Sequence, residues 1–81
     1  MAILVPTYEL AQKIGRRIEI DAATVGELID KAIALYGEEF ERTTTAALIA
    51  VNGVAINSLR GRKTKLTADD EVWFLKPAGG G

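Results

Sequence analysis

The residues of this chain that could take part in chemistry are few, and the most unusual stand last: Pro77-Ala78-Gly79-Gly80-Gly81. Glycine loses more conformational freedom on ordering than any other residue, so three in succession predict a thin, side-chain-free, flexible strip. The five residues from Pro77 extend about 17 Å at roughly 3.3 Å each, enough to enter a narrow channel in a partner. An uncrowded C-terminal carboxylate is a good substrate for ATP-dependent adenylation. The resulting mixed anhydride is open to attack by sulfide, which gives a thiocarboxylate, or by an amine or a thiol. Gly81 is thus the candidate attachment point, and Gly79, Gly80 and Gly81 the candidate working tail. The competing reading is a frayed terminus or a cloning scar.

Other chemistry is hard to build. The 81 residues include no cysteine and no histidine, which removes the thiolate nucleophile, the commonest general base and the commonest metal ligand. The eleven carboxylates fall mostly on faces expected to be exposed, so no paired-carboxylate site is expected and no residue is assigned a catalytic role. Asp69-Asp70-Glu71 is read as a turn and a solvated strand start, with too few convergent oxygens for a metal. Arg60, Arg62, Lys63 and Lys65 form a basic stretch, read as a solvated loop in preference to a contact for an acidic partner or phosphate. The Gly-x-x-x-x-Gly-Lys phosphate loop is absent. A net charge of −1 favours neither nucleic acid nor membrane. No apolar run reaches the length of a membrane span, and no signal peptide is visible, so a cytoplasmic protein is expected.

The elements that must carry the tail follow from periodicity. Ile3-Leu4-Val5 reads as a strand ended by Pro6, which lacks a ladder donor. Tyr8 to Ile14 is ambiguous, compatible with an irregular helical turn closed by Gly15. Arg17 to Asp21 alternates, with Ile18 and Ile20 toward the core. Thr24 and Glu27 form a capping box, and Val25, Leu28, Ile29, Ala32, Ile33 and Tyr36 make one helical stripe that Gly37 ends. Glu38 to Thr45 is polar, anchored by Phe40. Ala46 to Val51 and Val54 to Ile56 flank Asn52-Gly53, a strong hairpin signal. Ser58 to Thr67 is a polar connection, and Glu71 to Leu75 is the last strand. Strand, strand, helix, hairpin, strand predicts an α+β fold, a mixed sheet packed on one main helix. That order is the β-grasp arrangement of ubiquitin-like proteins. Residues 1–76 form the domain and 77–81 the tail.

Side chains alternate along a strand, so if Val72 and Phe74 face the helix, Trp73 and Leu75 face outward. Two large apolar groups exposed beside the tail predict a partner-binding patch, with Lys76 and Pro77 at its border.

The stretch Leu66-Thr67-Ala68-Asp69-Asp70-Glu71-Val72-Trp73-Phe74-Leu75-Lys76-Pro77-Ala78-Gly79-Gly80-Gly81 resembles the ending of the MoaD/ThiS family of sulfur carriers, supported by Ala23 to Leu28 and Val51-Asn52-Gly53. Within that family it is most similar to the small subunits of molybdopterin synthase. Ala68-Asp69 stands where many members have Asp-Gly, and Lys76 where a proline is frequent. The resemblance implies adenylation of Gly81 by a MoeB/ThiF-like activating enzyme that uses ATP, then conversion to a thiocarboxylate. It implies sulfur donation to an acceptor such as the molybdopterin synthase large subunit, and no cofactor bound to the chain itself. Carriers for thiamine, cysteine, tungsten cofactor or tRNA thiolation share the ending. A protein modifier conjugated through Gly81 is the alternative.

Overall fold

The computed structural model describes residues 1–76, so the expectations for Pro77, Gly79, Gly80 and Gly81 lie outside the described residues. The elements run β1 (Ala2–Val5), α1 (Tyr8–Ile14), β2 (Ile18–Ile20), α2 (Val25–Tyr36), α3 (Glu38–Ala46), β3 (Leu48–Val51), β4 (Val54–Ala55) and β5 (Glu71–Leu75). Two short 3-10 turns, Ile56–Ser58 and Gly61–Lys63, occupy the connection before β5. The five strands form one mixed sheet in the order β2-β1-β5-β3-β4. β5 lies at its centre, parallel to β1 and antiparallel to β3. This is the expected β-grasp architecture.

α2 begins where its capping residues place it. The Glu27 N–H donates to Thr24 Oγ1 at 3.1 Å. The Glu27 carboxylate reaches back one residue further than the usual box and accepts from the Ala23 N–H at 2.6 Å. Gly37, at φ +80°, ends the helix with its N–H on the Ile33 carbonyl. Replacing Thr24 with Ala removes the first of these bonds and is expected to lower stability by about 1 kcal/mol, read from urea melts.

The sequence reading departs from the structure between Gly37 and Leu48. Residues 38–46 form the third helix, α3, and the strand expected from Ala46 begins only at Leu48. The run Thr43-Thr44-Thr45 disguises the helix, because threonine is a poor helix former. Here Thr43 and Thr45 donate their hydroxyls to the carbonyls of Glu39 and Glu41, four residues back, which accommodates them within helical geometry. Phe40 is the buried residue that ties α3 down. The sheet thus packs against α2 with two shorter helices beside it. Likewise β4 is two residues, and Ile56 opens a 3-10 turn where a strand was expected to continue.

The core joins the inner face of the sheet to the stripe of α2: Leu4, Ile20, Val25, Leu28, Ile29, Ala32, Phe40, Val72 and Phe74 are buried. Phe40 meets Phe74 edge-on, ring centroids 5.4 Å apart. Asn52 (φ +49°) and Gly53 (φ +87°) make the turn that their pairing predicts. Asp69 also sits in the left-handed region, at φ +69°. Glycine adopts that backbone without strain, whereas a residue with a side chain rarely does.

Candidate functional site

The register places a row of side chains on the face of the sheet turned away from α2. Val5 pairs with Trp73, Trp73 with Ala50, and Ala50 with Ala55. One step along, Leu75 pairs with Leu48. Trp73 is 39% exposed, Leu75 40% and Leu48 47%, whereas Val72 and Phe74 are buried. The alternation expected from sequence holds, and Trp73 and Leu75 lie together on an open apolar surface. Leu48 belongs to the same surface and was missed. Its signal was available, since Ile49 and Val51 pointing inward place Leu48 and Ala50 outward.

The indole of Trp73 is oriented. Its Nε1–H donates to Glu71 Oε1 at 2.9 Å, and Arg17 Nη2 donates to Glu71 Oε2 at 3.1 Å. Those two contacts, indole first, hold the Glu71 carboxyl below the usual carboxylate range. Arg17 comes from a segment 54 residues away in sequence, so no local pattern announces the pair.

The entry to β5 is fixed by a second network. Asp70 accepts from the Thr67 N–H at 2.8 Å, from the Thr67 hydroxyl at 3.1 Å and from Asn52 Nδ2 at 3.0 Å. Asn52 Oδ1 accepts from the Glu71 N–H at 3.0 Å. The Thr67 N–H, then Asn52, hold Asp70 below its ordinary 3.8. The acidic run is therefore a hydrogen-bonded turn, as expected. Both carboxyls titrate lower when folded than when unfolded. Their contribution to stability is complete above the unfolded values of 3.8 and 4.5 and is lost as pH falls through the lowered folded values. Asp70→Ala is expected to cost about 1–2 kcal/mol at neutral pH, from the lost bonds to a charged acceptor. It should also flatten the fall in stability below pH ~4, measured by urea melts across pH.

Lys76 leaves the sheet beside Leu75, and its ammonium pairs with Glu9 at 3.4 Å. The basic stretch is partly internal: Arg62 donates to Asp30 at 2.9 Å and to the Gly26 carbonyl at 3.4 Å, clamping the loop on α2. A Cβ on Gly26 would stand 3.1 Å from the Arg62 carbonyl oxygen, so that approach suits glycine. Arg60, Lys63 and Lys65 make no ion pair among the described residues. Among those residues there is no acidic cluster able to hold a metal ion, and no helix long and apolar enough to cross a membrane. The arrangement offers an open apolar face beside the last residues of β5.

The family model described as the ThiS family matches residues 6–81. No curated protein matches. Among solved structures, a chain of the Amycolatopsis orientalis BexX/CysO complex superposes with a TM-score of 0.83 at 18% identity, covering 100% of both chains. The small archaeal modifier protein 1 of Methanosarcina acetivorans superposes with a TM-score of 0.86 at 18% identity, covering 99% of this chain and 95% of that one. Urm1 from Trypanosoma brucei gives 0.73 at 14% identity, covering 99% and 94%. These likenesses establish the shared fold.

Proposed function

The chain belongs to the ThiS family of ubiquitin-like sulfur carriers, and on that premise we propose that its Gly81 carboxylate is the group that carries the sulfur. A Gly81 oxygen attacks the α-phosphorus of ATP in a partner's site and expels pyrophosphate. Sulfide then adds to the acyl carbon and expels AMP, leaving a thiocarboxylate. The chain supplies no acid, base or metal to these steps. It supplies a recognisable surface and a reacting end.

The observation that carries this reading is the placement of the open apolar face at the exit of the tail. Trp73, Leu75 and Leu48 surround the point where Lys76 leaves β5. A partner docked there holds the tail's origin and leaves five residues, about 17 Å at full extension, to reach its active site. Trp73, Leu75, Lys76 and Pro77 are the proposed partner contacts, joined by Leu48.

We assign the acceptor to molybdopterin formation, with the large subunit of molybdopterin synthase as partner. The region between α2 and β3 holds a complete helix, α3, which fits the larger molybdopterin-type carriers better than the shorter thiazole type. A cytoplasmic location goes with this assignment. The test of the carrier reading is ATP–pyrophosphate exchange by the cognate adenylating enzyme. Exchange that depends on this chain supports it; none, from an enzyme shown to be active on another ThiS-family carrier, contradicts it.

The modifier protein among the structural neighbours motivates a second reading, in which the same adenylate ends in an isopeptide bond to a lysine. Denaturing pulldown of the tagged chain separates the two. Covalent high-mass conjugates that disappear when Gly80 and Gly81 are deleted favour the modifier, and their absence favours the carrier.

A further inference from the structure

Asn52 and Gly53 make the two-residue turn between β3 and β4, and both are exposed. An asparagine followed by glycine is the pair most open to loss of its side-chain amide, because glycine has no Cβ to crowd its own nitrogen. A Cβ on Gly53 would meet nothing within 4 Å, so the fold adds no obstruction there. Yet the Asn52 side chain is not free. Its Nδ2 donates to Asp70 Oδ1 at 3.0 Å, and its Oδ1 accepts from the Glu71 N–H at 3.0 Å. The Asn52 N–H donates to the Glu71 carbonyl at 2.9 Å, so backbone and side chain are tied to the same short segment.

We propose that Asn52 is a deamidation site guarded by the fold, with the Asp70 carboxylate and the Glu71 N–H as the guard. The reaction is attack by the Gly53 nitrogen, stripped of its proton by hydroxide, on the Asn52 side-chain carbon Cγ. The bond from Cγ to Nδ2 breaks. That nitrogen takes a proton from water and leaves as ammonia, and a cyclic succinimide remains. Water then opens either of the ring's bonds to nitrogen, giving aspartate or isoaspartate. The net change is water consumed and ammonia released in equal amounts, with no oxidation or reduction. Ring closure removes Nδ2, so its bond to Asp70 is lost outright. It also draws Cγ onto Gly53 and away from the Glu71 N–H. Both bonds therefore oppose it, the one to the charged acceptor more strongly.

The guard matters because both products damage the entry to β5, the central strand. Aspartate at this position exchanges the donor Nδ2 for an oxygen set against Asp70, and two carboxylates so close cannot both stay ionised without cost. Isoaspartate routes the main chain through its own Cβ. That lengthens a turn which the β3–β4 register holds at two residues.

Peptide-mapping mass spectrometry of the full chain, kept in mildly alkaline buffer, follows conversion at Asn52, with the same chain unfolded in urea as the reference. The folded chain should convert at least about 10-fold more slowly than the unfolded one. Asp70→Ala should speed conversion of the folded chain several-fold. Thr24→Ala lowers stability by a similar amount, but Thr24 makes no hydrogen bond to Asn52 or Asp70. It should leave the folded rate nearly unchanged. Asp70→Asn, which keeps the shape and loses the charge, serves if Asp70→Ala does not fold, with a smaller acceleration expected. A folded chain that converts as fast as the unfolded reference overturns the proposal. So does an Asp70 variant no faster than the unmodified chain. Equal acceleration by Thr24→Ala also overturns it, since global opening would then be the sole protection. No readout uses a partner enzyme, so the guard can fail while adenylation succeeds, and the reverse.

Discussion

Deleting Gly80 and Gly81 is expected to abolish adenylation, lowering pyrophosphate exchange by at least about 10³-fold, without changing the urea melt. The truncated chain still ends in glycine, so the chemical identity of its end is nearly kept. What changes is reach. Two residues are about 7 Å of extended chain, and reacting atoms must come within roughly 3.5 Å, with misplacement of ~1 Å already costing on the order of 10²-fold. Stability should be indifferent because the buried core is built from residues 2–74. If the glycines are incidental to a plain interaction domain, the truncated chain retains full function.

Two neighbouring residues of β5 are expected to fail in opposite ways. Phe74 is buried against Phe40, and Phe74→Ala should cost about 3–5 kcal/mol in transfer and cavity terms. Against a total of about 5–15 kcal/mol for a domain of this kind, that leaves the fold marginal. Trp73→Ala removes a side chain that is 39% exposed, so stability should fall by under about 1 kcal/mol. The binding face loses its largest anchor, and affinity for the activating enzyme should fall by about 2 kcal/mol, roughly 30-fold. Urea melts read the first effect and calorimetric titration the second. A Trp73→Ala chain that binds normally removes the face from the account.

Most of the fold was legible because it rests on local signals. α2 follows from a six-residue apolar stripe between Thr24 and Gly37, the hairpin from Asn52-Gly53, and the inward and outward sides of β5 from simple alternation. α3 was not legible, because its nine residues carry one buried anchor, Phe40, and a threonine run whose helical compatibility depends on hydroxyl bonds to carbonyls four residues back. The candidate site divides the same way. Trp73 and Leu75 were readable from strand period. The Arg17–Glu71 contact depends on β1 pairing with both β2 and β5, and the clamp of Arg62 on Asp30 joins residues 32 apart. The left-handed Asp69 is not marked by its own side chain, and the resemblance, which sets it where many members have glycine, was its one sign.

The central claim is that sulfur is carried on Gly81. Intact-mass spectrometry of the full chain, after incubation with its activating enzyme, ATP and a sulfur donor, tests it most directly. The account predicts a species in which one oxygen is replaced by sulfur, localised to the C-terminal peptide and discharged when an acceptor enzyme and its substrate are added. Recovery of free carboxylate alone, under conditions in which the same enzyme thiolates another ThiS-family carrier, would contradict it.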